Sequence, residues 1–419
     1  MIDLPTAPAR AGTAHAAPRP AFGQAFRDDP YPAYAALSAA GPVLWRDDVF
    51  QGAWLLTRHA DVEFALRDPR FSARRTGGWI KRIDGSAAGA GLEAFQRLFG
   101  QAMVFLDGGE HERLRRAMAA GFHPSLVRAL RPQIEALADE LLDPLDAQRG
   151  FDFIEAVARP LPSRVMSLLL GIDRRDEARF MAWSDDLAAF IGALQPCEAQ
   201  LRAAQRSLMQ LARYFDALLP ARRAAPGTDL VSRLVQAEGR GELRADGGLV
   251  AQCAMLLFAG HETTRNLLGN GLYTLLTHPG QWERLRDEPA LMAPALRELL
   301  RYDSPVQYTG RRVAAEVTLH GRTLRRGDLV LALIGSANRD PDRFADADRV
   351  DIGRRDGTHL SFGSGVHVCI GAGLALLEAD VVLAALMRRW PRLALLDPAP
   401  QWNGNAGLRG LARLRVRAR

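Results

Sequence analysis

Apolar residues recur at three- and four-residue spacing over most of this 419-residue chain, which is the period of a helix with one buried face. The pattern is plain in YPAYAALSAAG (31–41), HADVEFALRDP (59–69), HERLRRAMAAGF (111–122) and LVRALRPQIEALADELLDPL (126–145). It predicts further helices over 161–171, 175–194, 198–222, 247–277, 281–302 and 370–390. Strand-like pieces are short: PVLWR, AWLLTR, EVTLHG, TLRRGDLVLAL and the late LARLRVR. Gly and Pro fall between elements and do not collect in one linker, and no internal repeat is visible. The expectation is a mostly α fold with small β-sheets, one catalytic domain over 26–419, behind an Ala- and Pro-rich flexible tail over 1–25. Two stretches carry no clear period. Residues 72–104 are Gly-rich and irregular, as functional or mobile loops are, and 223–246 read as a surface connection.

Composition narrows the class. With 48% hydrophobic residues the chain can bury a large core. The net charge is +6, but the basic residues are nearly all Arg, with Lys81 the single lysine, and they are scattered among acids. That distribution describes solvated faces and gives no nucleic-acid patch. The three cysteines, Cys197, Cys253 and Cys369, are far apart and form no CxxC pair. This fits a reducing cytoplasm and argues against a disulfide framework or a zinc site. The first residues lack the apolar core of a signal peptide. The longest apolar run, AMLLFAG at 254–260, is far too short to span a bilayer, so a cytoplasmic protein without membrane insertion is expected.

The chemistry concentrates in HLSFGSGVHVCIGAGLALLEA, His359 to Ala379. A dinucleotide fingerprint would need Gly where Val368 stands, and the phosphate-loop GK[ST] is absent. A zinc site would need more ligands than His367 and Cys369, and a catalytic thiol would need a base that His367, two residues away in an extended loop, does not supply. A lone Cys is ordinarily an inert core residue. Its neighbours say otherwise. Gly363 and Gly365 permit backbone angles and close approaches that a Cβ forbids. Gly371 opens an apolar helix and puts Cys369 at its N-terminus, where N–H groups and the helix dipole favour a thiolate. A held, non-nucleophilic thiolate suits a haem iron.

FGSGVHVCIG followed by LA, residues 362–375, resembles the FGxGxHxCxGxxLA signature of bacterial cytochrome P450 enzymes at every fixed position. The likeness extends over nearly the whole chain. It implies the P450 fold, with haem b between the long central helix and the Cys-loop helix. It further implies Cys369 as axial ligand, Phe362 beside the sulfur, His367 on a haem propionate and Gly371 in the cofactor loop. Leu376 departs from the Arg of many relatives, with little expected consequence. AGHETT, Ala259 to Thr264, lies in a buried helical pattern where an acid needs a reason. It resembles the family's oxygen-activation motif, with Glu262 as acid and Thr263 as alcohol, and a local helix bulge is expected at Gly260. Glu298 and Arg301 resemble the family's ExxR pair, with Arg349 expected as the third, structural member. His111 and Arg115 share one helical face, and the resemblance makes them propionate donors together with Arg311 or its neighbour Arg312.

The resemblance implies a monooxygenase that places one atom of O2 in a hydrophobic small molecule, by hydroxylation or epoxidation. A polyketide-like or terpenoid substrate in secondary metabolism is expected, from pocket segments carrying Trp79, Phe190, Leu257, Phe258 and Val306 to Tyr308. No flavin or Fe–S motif is present, so ferredoxin and ferredoxin reductase are the expected electron donors, docking near Arg113 and Arg116 on a monomer. Two readings stay beside this one: a haem-thiolate enzyme that uses peroxide or reduces nitric oxide, and a non-catalytic haem sensor.

Overall fold

In the computed structural model of the protein, residues 22–75, 89–194, 196–243, 248–397 and 399–418 are described. Helices form where the period predicts them, with four informative differences. The 126–145 pattern divides at Leu130 into Pro124–Ala129 and Arg131–Leu142, because Pro132 is tolerated only in a first turn. The 281–302 pattern divides into Pro279–Asp287 and Met292–Tyr302 around a turn that starts at Pro289. The expected surface connection over 223–246 holds a helix, Leu230–Gly239, whose first turn is capped by the Asp229 carboxylate accepting from the Ser232 N–H. The expected loop over 72–104 likewise holds a helix, Gly89–Gly100. In both, flanking Gly masks a short apolar period.

The centre is the helix Gly248–Thr277, buried on nearly all sides. It packs on Pro160–Leu170, Glu177–Ile191, Glu198–Ala224, Met292–Tyr302 and Ala372–Arg389. One approach is unusually close. A Cβ on Gly260 would stand 2.4 Å from Met166 Sδ, in the helix Pro160–Leu170. The glycine serves helix contact, and the bulge expected there is not present, since the helix runs α-helical through its length.

The main sheet runs in the order Val43–Arg46, Ala53–Leu56, Leu329–Ala332, Thr309–Val313, Phe71–Ser72. Its pairs are antiparallel except Ala53–Leu56 with Leu329–Ala332. Alternation along Thr309–Val313 sends Arg311 and Arg312 to opposite faces, and that separates their roles below. Among the described residues no helix is long and apolar enough to cross a membrane.

Candidate active site

The Cys loop is built by its glycines. Gly363 and Gly365 both take φ of 72°, a left-handed conformation that side chains resist. A Cβ on Gly365 would also lie 3.1 Å from Arg67 Cα and from the Leu66 carbonyl. The close approach read from the sequence is therefore to the helix His59–Arg67. The Cys369 N–H closes the loop on the Phe362 carbonyl at 2.8 Å, and Phe362 packs against the main core. Gly371 caps the helix Ala372–Arg389. A Cβ there would meet only Phe122 and Cys369 Sγ at ordinary contact, so its N–H matters more than its missing side chain. Burial pushes the Cys369 thiol up, while the Gly371 N–H, the Arg115 charge and the Ala372 N–H pull the other way. The helix start favours the thiolate as expected and the depth of the loop opposes it, although the Cys369 side chain itself is accessible.

Arginine and histidine side chains gather beside the sulfur. His111 and Arg115 project from the helix Gly108–Ala119. His111 is 2% exposed, its Nε2 has no hydrogen-bond partner among the described residues, and its ring centroid lies 4.1 Å from that of His367. Burial, then the neighbouring His367 and Arg115 charges, lower its pKa to about 4. His367 Nε2 stands 3.5 Å from Asp107 Oδ1. Asp107 also accepts from Ser72 Oγ and from the Ala73 N–H. Burial opposes the charge of Asp107, but the hydrogen bonds from His367, Ser72 and Ala73 together hold its carboxyl well below the usual range.

Arg311 is buried and donates only to the Gly310 carbonyl, at 2.9 Å, while the field of Asp107 reaches it. Arg312 donates to the Gly327 carbonyl on the other side of the strand. Of the two, Arg311 belongs to this cluster. A further member, Arg75, carried no sequence signal because it sits in a stretch without periodicity. Its guanidinium lies 4.7 Å over the Phe105 ring.

The donor set fits a haem. One side supplies a lone sulfur at a helix start. The other supplies Arg115, Arg311, His111 and His367, with an unpartnered buried imidazole nitrogen and few acids to neutralise them. Two carboxylates on the cofactor would match that excess.

A second group lies on the central helix. Ala259 is exposed and Gly260 and Thr263 are half-buried, although the residues around them from Leu249 to Leu275 are almost all buried. Thr263 Oγ1 donates to the Ala259 carbonyl at 2.8 Å without interrupting the helix. Glu262 is 2% exposed. It accepts from Asn266 Nδ2 at 3.1 Å and from Arg265 Nη1 at 3.3 Å. Burial raises its pKa, with Arg265 opposing. Ion pairs continue outward from Arg265 to Asp185 at 3.5 Å, from Asp185 to Arg159 at 2.6 Å, and from Arg159 to Glu155 at 3.3 Å. All five side chains border a cleft of about 690 Å³ that also touches Asn405. Of the expected pocket residues, Phe190, Leu257 and Phe258 are packed into the main core, Tyr308 is half-buried against Phe50, and Trp79 lies outside the described residues.

A third network explains how the loop is held. Glu298 and Arg301 meet at 2.7 and 2.9 Å, both nearly inaccessible. The third charge is Arg354, whose Nε reaches both Glu298 oxygens at 3.2 and 3.1 Å. Arg349, the expected member, is exposed and contributes only its carbonyl, which accepts from Arg301 Nη2 at 3.1 Å. In this irregular segment no period says which of several arginines turns inward.

The family model for cytochrome P450 matches residues 85–393. The chain is 38% identical to cytochrome P450 107B1 of Saccharopolyspora erythraea over 403 residues, 95% of this chain and 97% of that one. It is 38% identical to cytochrome P450 monooxygenase PikC of Streptomyces venezuelae, covering 95% and 93%. The polyketide biosynthesis cytochrome P450 PksS of Bacillus subtilis is 34% identical over 94% of this chain and 97% of its own. Its solved structure superposes with a TM-score of 0.84, covering 95% and 99%.

Proposed function

The chain belongs to the cytochrome P450 family of haem-dependent monooxygenases, and from that premise we propose that it oxygenates a hydrophobic small molecule of secondary metabolism, polyketide-like or terpenoid, by hydroxylation or epoxidation. The observation that carries the assignment of residues is the lone sulfur of Cys369 at a helix start beside an excess of cations. The naming of PksS for polyketide biosynthesis supports the substrate class. Cys369 would ligate the iron, with Phe362 and the Gly371 N–H shaping its surroundings. Arg115, Arg311, His111 and His367 would hold the cofactor's carboxylates. The bound haem b supplies the activation of O2.

The protein's own part is then proton supply. Glu262 stands between the opening at Ala259 and Thr263 and the ion-pair chain that borders the outer cleft. It can take a proton from that side and present it inward by turning off Arg265. The Thr263 hydroxyl, tied to the Ala259 carbonyl as donor, keeps its lone pairs free to accept from water.

The test uses a compound that shifts the ferric haem toward high spin, with ferredoxin, ferredoxin reductase, NADH and isotopically labelled O2. The product should carry one labelled oxygen per NADH consumed. Glu262→Gln should slow consumption by about 10²–10⁴, the usual range for losing a proton carrier. Thr263→Ala should keep consumption while product falls and hydrogen peroxide rises. Burial raises the Glu262 pKa, so its proton-loaded fraction declines as pH climbs through that value. The wild-type rate should fall toward alkaline pH, and the Glu262→Gln rate should be flat there. Full coupling at wild-type rate in both variants would reduce the motif to helix packing and favour the peroxide-using or sensor readings.

Electrons would come from ferredoxin and its reductase in the cytoplasm, to a monomer. Arg113 and Arg116 are exposed on the helix that carries Arg115, where an acidic donor can dock. Arg113→Glu with Arg116→Glu should slow the first electron transfer, most at low salt, because surface charges are screened over ~10 Å at 0.1 M. Substrate-induced spin shift should not change. Unchanged, salt-insensitive reduction would move the docking surface elsewhere.

A further inference from the structure

The cationic cluster holds two guanidiniums that no acid among the described residues pairs with. Arg74 donates to Glu110 at 2.5 Å. Arg75, the next residue, makes only a long contact to the Ala73 carbonyl, at 3.4 Å. Arg311 has only the Gly310 carbonyl. The Arg311 charge acts on Arg75, and the one acid whose field reaches both is Asp107, already engaged by Ser72, Ala73 and His367. Burial, then the Arg311 charge, lower the Arg75 pKa to about 9, and burial lowers that of Arg311 to about 10. Two like charges held together, Arg311 buried and Arg75 half-buried, call for an anion. The surroundings also fix the shape of the site. Phe105 lies under the Arg75 guanidinium at 4.7 Å, an arrangement that orients its plane. The stem passes over Gly310, where a Cβ would stand 2.8 Å from Arg75 Cδ and 3.2 Å from Nε.

We propose that Arg75 and Arg311 form a carboxylate-binding site for which Gly310 makes room. A carboxylate matches the planar donor fork of each guanidinium. It can come from two sources: a propionate of the haem, adding Arg75 to the holders named above, or the acid group of a substrate. The inference rests on the P450 reading of this cluster.

The experiment uses haem-loaded Arg75→Gln, Arg75→Lys and Gly310→Ala proteins. Haem release is followed by capture in excess apomyoglobin. Binding is followed by spin-shift titration with dodecanoate and with methyl dodecanoate. A charge-assisted hydrogen bond lost to Arg75→Gln corresponds to about 10–100-fold. Haem release faster by that factor identifies the cofactor as the source. Unchanged release, with the preference for dodecanoate over its ester reduced by that factor, identifies the substrate. If dodecanoate shifts neither wild type nor variant, haem release alone decides. Arg75→Lys keeps the charge without the fork and should fall between. Gly310→Ala, which displaces the stem, should follow Arg75→Gln. Release and acid preference both unchanged in Arg75→Gln overturn the site. Gly310→Ala behaving as wild type beside an impaired Arg75→Gln overturns the role of Gly310. The thiolate-type carbon monoxide spectrum should persist in every variant, so a negative result leaves the family reading intact.

Discussion

Cys369→His should abolish the thiolate-type Soret band of the reduced carbon monoxide complex and take monooxygenase turnover below detection. The other two cysteines are unsuited to the role. Cys253 is buried in the core, and burial pushes its thiol up to about 12. Cys197 is exposed at the start of the helix Glu198–Ala224, with Gln200 accepting from its N–H. Neither has a glycine-built loop around it. Only Cys369 sits at the end of a loop with two left-handed glycines, its N–H tied to Phe362 and its sulfur facing the N–H groups of Gly371 and Ala372. An imidazole in its place can hold iron, but it cannot push electron density as a thiolate does toward O–O cleavage. The arginine and histidine cluster should still retain haem in reduced amount, so the spectrum and the turnover should fail more completely than the haem content. Cys197→Ser should match wild type in all three measurements. An unchanged thiolate-type band in Cys369→His would overturn the assignment of the ligand.

What was legible in the sequence follows from what repeats. Long amphipathic periods located the helices because each buries one face in a common core. The 362–375 stretch was legible because its glycines sit where φ of 72° and the backbone of Arg67 leave no room for a Cβ. Helical spacing put His111 and Arg115 on one face, and only the family resemblance gave that face a role. Residues in irregular segments were not. Arg75 and Arg354 carry their roles through the path of a non-periodic chain, and neighbours such as Arg74 and Arg349 are chemically identical in the sequence. Gly260 in the sequence suggests a weakened helix, while the structure uses it to admit Met166. Asn338 gave no signal either, since a single Asn closing the one-turn helix Ile334–Ala337 has no pattern, yet it joins the ExxR pair to the Cys loop.

That connection sets the second large effect: Glu298→Ala should yield little folded, haem-loaded protein. Arg301 is 2% exposed and spends its donors on Glu298 and on the carbonyls of Asn338, Ala347 and Arg349. The Asn338 side chain in turn accepts from the Leu360 N–H at 2.7 Å and donates to Ser361 Oγ at 2.8 Å. Ser361 Oγ donates to the Leu300 carbonyl at 2.7 Å, in the same helix as Glu298. The next residue is Phe362, where the Cys loop begins. Removing the Glu298 carboxylate strips the counter-charge from buried Arg301, leaves Arg354 only the longer pair to Asp356 at 3.7 Å, and frees the Asp351 N–H that it accepts from at 2.9 Å. Breaking one side of such a network commonly costs ~3–5 kcal/mol, against a total stability of ~5–15 kcal/mol for a folded protein. Arg354→Ala leaves the Glu298–Arg301 pair in place and should cost less, about 1–3 kcal/mol. Arg349→Ala should behave as wild type, because its carbonyl remains. Holoprotein yield, haem-to-protein ratio and thermal unfolding rank the three. A reversed order for Arg349 and Arg354 would contradict the network. Normal haem content in Glu298→Ala with turnover alone lost would instead make Glu298 a participant in the chemistry.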